Sequence, residues 1–134
     1  MGYRQALEAA GATVHSFERF GSYQGDWWAS VTYKGITGYV RGSYGSCSGC
    51  DAFESEFTSV LHYHGEKPVW GGYTLNEEYL EDCEECTNTK DRLVIFGQKY
   101  LDGIMDKQTA LDKAGEHLKW DMEAQLMVGW IKNN

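Results

Sequence analysis

The chain has 134 residues, 42% hydrophobic, 24% charged and 14% aromatic, which suits one folded domain with a core that needs no staple. It lacks both an apolar run of about 18 residues, which excludes a membrane-crossing helix, and the basic-then-apolar start of a secretory signal. Its formal net charge of −8 disfavours direct binding of nucleic acid, whose phosphates an acidic surface repels. The charge is unevenly spread: residues 1–44 carry four basic and three acidic side chains, and residues 45–134 carry eight basic and 17 acidic ones. Such acidity suits either a solvated surface or an anionic face for a basic groove on a partner protein.

In chain order, residues 3–10 read as a short helix stopped at Gly11. Three strand-like segments follow, at 13–20, 26–34 and 36–44, and Lys34-Gly35 marks a tight turn between the last two. The spacing then turns helical. Asp51 and Glu54 stand in the capping-box relation, with Phe53, Phe57, Val60 and Leu61 on one face. A Gly-rich loop holding Pro68 follows, then a short acidic helix from Thr74 to about Cys83. Leu93, Phe96, Tyr100 and Ile104 place a helix over 90–104, and the periodicity predicts a last helix from Lys107 to Ile131. The expected fold is therefore α+β, a three-stranded antiparallel meander followed by three or four helices.

That last helix carries two apolar stripes. One holds Leu111, Ala114, Leu118, Met122, Leu126 and Gly129, and the other Trp120, Ala124, Met127 and Ile131, with Trp130 beside it. A helix apolar over so much of its circumference is buried on two sides or docked on another chain, either a partner or a second copy in a homodimer.

Cys47-Ser-Gly-Cys50 and Cys83-Glu-Glu-Cys86 are two CxxC pairs. Each can place two thiolates on one side of a turn, so together they predict a closed, structural four-cysteine zinc site. With no export signal a reducing cytosol is expected, where disulfides are rare. A redox pair, plain reduced thiols, and a mixed site of Cys47, Cys50, His62 and His64 are the alternatives. The acidic neighbours Glu81, Asp82, Glu84 and Glu85 oppose a reactive thiolate at the second pair.

No nucleophile elbow, phosphate-binding loop, zinc-protease motif or dinucleotide fingerprint is present, so no enzymatic activity is predicted. The second strand instead divides into two faces. Trp27, Ala29, Val31 and Tyr33 share one, and Trp28, Ser30, Thr32 and Lys34 share the other, beside Tyr39 and Arg41 of the third strand. Trp28, Tyr39 and Arg41 suit stacking on a ligand or anchoring in a protein pocket, unless the later helices cover them.

The stretch GSYQGDWWASVTYKGITGYVRGSYGSCSGCDAFE, residues 21–54, resembles a segment that recurs in small uncharacterised proteins of bacteriophages; GSCSGCD is its most specific part. The resemblance covers about a quarter of the chain and carries no established activity. It implies a viral accessory protein acting in the bacterial host cytoplasm. By analogy of class, such a protein inhibits host machinery or antiviral defence, as anti-CRISPR proteins do. The expected function is thus non-enzymatic binding and modulation of a host protein, with Trp28, Tyr39, Arg41, Trp120, Met127, Trp130 and Ile131 as candidate contacts. A nucleotide or small-molecule sponge and a thiol redox protein are the alternatives.

Overall fold

A computed structural model describes residues 2–45, 51–53, 61–64, 67–70, 84–116 and 122–134, with the backbone alone for 61–64, 67–70 and 84–90. Helix α1 (Tyr3–Ala9) buries Tyr3, Ala6 and Leu7. It stops where Gly11 takes φ +102°, a left-handed conformation that costs glycine little. The Gly11 N–H then donates to the Glu8 carbonyl and the Ala12 N–H to the Leu7 carbonyl, satisfying the last turn and aiming the chain into the sheet.

Strands β1 (Thr13–Gly21), β2 (Gly25–Tyr33) and β3 (Ile36–Tyr44) form an antiparallel meander in that order. Each lies within a residue of its expected span. Lys34 and Gly35 both have positive φ, +50° and +79°, which gives the two-residue turn the twist of the flanking strands. One irregularity falls in β1, where the register shifts between Val14 and Ser16 and leaves His15 unpaired as a bulge. On the outer edge of β3, the Tyr39 N–H and C=O exchange hydrogen bonds of 2.8 Å each with Met105. Gly38 makes room for this contact, since a Cβ there would stand 2.4 Å from the Met105 carbonyl oxygen.

β2 is buried on both faces from Trp27 to Val31. On one face Trp27, Ala29, Val31, Val40 and Tyr44 meet α1, Phe53 and helix α2 (Glu84–Leu101), which contributes Leu93, Phe96 and Leu101. Aromatic rings dominate this core: Trp27 stacks on Phe17 at 5.4 Å between centroids and meets Tyr3 at 5.2 Å and Tyr100 at 5.0 Å. Gly97 lets α2 press against α1, with the Ala6 carbonyl lying where a side chain would begin.

The opposite face is covered by helices α3 (Lys107–Gly115) and α4 (Met122–Asn133). They run antiparallel: Lys107 Nζ donates to the Lys132 carbonyl at one end, and Val128 approaches Gly115 toward the other. Asp106 caps α3 by accepting the Thr109 N–H at 2.7 Å, and that bond holds its carboxyl below the usual carboxylate range. The second core holds Phe20, Trp28, Tyr39, Ala110, Ala114, Met127 and Ile131.

Two expectations are corrected. The single helix over 107–131 is two helices, which explains the diverging stripes. After the break, Ala124, Met127 and Ile131 face the sheet, and Met122 and Leu126 face solvent. Leu61, expected to end a helix, and Pro68, expected in a Gly-rich loop, instead fall in a hairpin of β4 (Leu61–His64) and β5 (Lys67–Trp70), while residues 54–60 of the expected helix and Gly71-Gly72 of the loop lie outside the described residues. Alternating His and Tyr suit a strand there, and Pro68 is tolerated because a two-stranded ribbon is all edge. The expected helix over 74–83 lies outside the described residues. Helix α2 starts six residues before its expected first residue, at Glu84. Among the described residues no helix is long and apolar enough to cross a membrane.

Candidate functional site

The sheet face flagged in the sequence is where β2 and β3 meet the α3–α4 hairpin, and most of it is closed. Trp28 is 1% exposed and Tyr39 is also buried. The Tyr39 hydroxyl reaches the Ile131 carbonyl at 3.5 Å, the outer limit of a hydrogen bond. The half-buried Trp130 meets Phe20 and Tyr39 edge-on at 6.2 and 6.3 Å. Trp28, Tyr39, Met127 and Ile131 are thus core residues, and no ring face of Trp28 is open for stacking. The covering helices come from a part of the chain 60 or more residues away in sequence.

Arg41 lies at the margin of this core. Its guanidinium donates to Asp26 Oδ1 at 2.8 Å, both side chains being about 30% exposed, and sits 6.0 Å from the centroid of the Trp28 ring. Ser43 Oγ also donates to Asp26 Oδ1, at 3.3 Å. Asp26 is paired with Ser43 and is therefore diagonal to Arg41 across the strands, within reach of long side chains. The signal for this pair was in the sequence once the β2–β3 register was fixed by the turn.

Beside the pair a cleft of about 280 Å³ opens between the sheet and the hairpin. Asp26, Trp28 and Arg41 form its sheet side, and Lys113, Ala114, Glu116, Ala124 and Met127 its helix side. The two alanines leave the space that larger side chains would fill. The Trp28 indole N–H is buried and has no acceptor among the described residues; the same holds for Trp27 in the other core. An unmet buried donor costs on the order of 1–3 kcal/mol. Of the sequence-flagged residues, Trp28, Arg41 and Met127 come together at this cleft, and Tyr39, Trp130 and Ile131 do not line it. Lys113 and Glu116 were missed, since nothing in the local pattern sets them apart from other surface charges, and Asp26 was missed although the β2–β3 register places it diagonal to Arg41.

Of the cysteine quartet, Cys47, Cys50 and Cys83 lie outside the described residues, as does Trp120, and Cys86 falls on α2 where the backbone alone is described. No metal-binding cluster occurs among the described side chains. What is described is the anchor of the first pair. Asp51, read in the sequence as a helix cap, is buried, and its Oδ1 accepts the Tyr3 hydroxyl at 2.9 Å and the Gly45 N–H at 2.9 Å. One carboxyl group thereby joins the two ends of the segment that carries Cys47 and Cys50. Tyr3 also accepts the Phe53 N–H at 3.3 Å. Burial chiefly, and then the bond to Asp51, push the Tyr3 phenol well above its ordinary pKa, against the pull of the Phe53 N–H. Burial likewise raises Tyr100, helped by the nearby Asp51. These phenols stay neutral across the working pH range and act as packing and hydrogen-bonding groups.

No protein-family model matches the chain, and neither a curated protein nor a solved structure does, so its chemistry is read from this geometry alone.

Proposed function

We propose that the protein is a non-enzymatic, phage-type accessory protein that binds a host protein and inhibits or modulates it. The observation that carries this reading is the outer face of α4. Met122 is 80% exposed and Leu126, one turn on, is 61% exposed, on a helix whose inner face is already spent on the second core. Two large apolar side chains standing together in water are a cost unless a partner covers them. They replace Met127 and Ile131 as the contacts, because those two are buried. The net charge of −8 favours a partner with a basic surface.

The test compares capture by the immobilised protein from bacterial host lysate. Wild type is expected to retain a host protein that high salt releases, and Met122→Asp/Leu126→Asp to lose it with its melting curve unchanged. Ile95→Asp, on an exposed residue of α2, is the control and retains it. Equal retention by the double variant and wild type would remove α4 from the reading.

Structural zinc held by Cys47, Cys50, Cys83 and Cys86 belongs to the same proposal. The Asp51 anchor supports it, because a closed segment gives a half-site fixed ends. Native mass spectrometry is expected to show one zinc per chain and its loss with a strong chelator, together with a lowered melting temperature. A metal-free chain with an unchanged melt under chelator would leave the cysteines as ordinary thiols.

A further inference from the structure

We infer, on the reading that Cys47, Cys50, Cys83 and Cys86 hold zinc, that metal binding and the docking of α1 are coupled through Tyr3, so that each strengthens the other. The start of α1 is not self-sufficient. At seven residues the helix is well below the roughly 12 that an isolated helix needs in water, and its N-cap, Gly2, makes no side-chain hydrogen bond to the first turn. What holds that turn is the chain immediately after Cys50. The Tyr3 hydroxyl donates to the buried Asp51 carboxyl and accepts the Phe53 N–H. The Phe53 ring lies 5.7 Å from the Tyr3 ring between centroids, and a Cβ at Gly2 would stand 2.2 Å from its edge.

Asp51 passes the constraint on to the cysteine segment. The oxygen that accepts the Tyr3 hydroxyl also accepts the Gly45 N–H, so α1 and both ends of the stretch carrying Cys47 and Cys50 meet at one atom. With α1 docked, part of the chain entropy that zinc would otherwise have to remove is already gone, and the affinity rises accordingly. Linkage then requires the reverse: a metal that binds better when α1 is docked holds α1 docked by the same factor. The Tyr3 ring also meets Trp27 at 5.2 Å and Phe96 at 5.9 Å, so the coupling runs from the metal into the first core.

Tyr3→Phe tests the link, because it keeps the ring in the core and removes only the hydroxyl. Competition with a chromophoric chelator is expected to show zinc held about tenfold more weakly than in wild type. Ile131→Val, a fully buried residue of the second core, is the control: it lowers the melting temperature and leaves zinc affinity unchanged. The converse is read by hydrogen exchange on wild type, which needs no variant to fold. Stripping zinc should speed exchange of the Ala6 and Ala10 amides, which close the turns of α1, about tenfold and leave Ala29 and Val31 of β2 protected. Wild type that takes up no zinc overturns the metal reading and the coupling with it. Wild type that binds zinc as tightly as Tyr3→Phe does, Ile131→Val weakened to the same extent, or α1 amides indifferent to zinc overturns the coupling alone.

Discussion

Trp28→Ala is expected to destabilise the protein by about 3–5 kcal/mol, the usual cost of emptying a buried aromatic site. Trp28 fills the second core between Tyr39 on the sheet and Met127 on α4, and Arg41 lies against its ring. Removing it leaves a cavity beside Ala110, Ala114, Met127 and Ile131. Chemical denaturation checks this: the midpoint should drop sharply for Trp28→Ala and hold for Met122→Ala, whose side chain is mostly exposed. Equal midpoints would mean that the α3–α4 hairpin does not close over the sheet. The consequence for function is direct. Loss of binding in Trp28→Ala reports unfolding, and the surface has to be mapped with exposed residues.

Gly97→Ala is the second large effect. A Cβ at Gly97 would stand 2.1 Å from the Ala6 carbonyl oxygen and 3.1 Å from the Ala10 Cβ. The obstacle is backbone, so no rotamer change relieves it, and α1 has to move off α2. Overpacking of this kind costs on the order of 1–3 kcal/mol, although alanine is the better helix former. The same change at Gly103, where the nearest atom lies at 3.5 Å, is the matched control and should cost far less. A melt in which both variants equal wild type would show that α1 and α2 are not in this close contact.

The meander was legible because it is specified locally. Alternation assigns the two faces of β2, and Lys34-Gly35 names the turn that sets the β2–β3 register. The α2 stripe was legible for the same reason, since Leu93, Phe96 and Tyr100 repeat at helical spacing and all meet the first core. What covers a face is decided elsewhere in the chain. Trp28 and Tyr39 read equally well as an exposed site or a core until α3 and α4 are seen above them. The break between those helices was hidden because the apolar spacing runs on through it, so stripes drawn across 107–131 mixed residues of two helices. The hairpin at 61–70 was hidden by Pro68 and by Gly65, Gly71 and Gly72 in and after it, which read as loop punctuation. The cleft was half legible: Trp28 and Arg41 were flagged on the sheet, and Lys113 joins them only through the hairpin.

The reciprocal bonds between Tyr39 and Met105 bear on how this protein behaves in concentrated solution. A strand with free outward amides is a template on which a second chain can grow. At the midpoint of β3 those groups are already spent, and the segment after α2 blocks the approach. On the other side, the His15 bulge breaks the regular spacing that an incoming strand would have to match. Both borders of the meander are thus poor seeds for sheet extension, and the large apolar surface buried on its two faces is kept within one molecule.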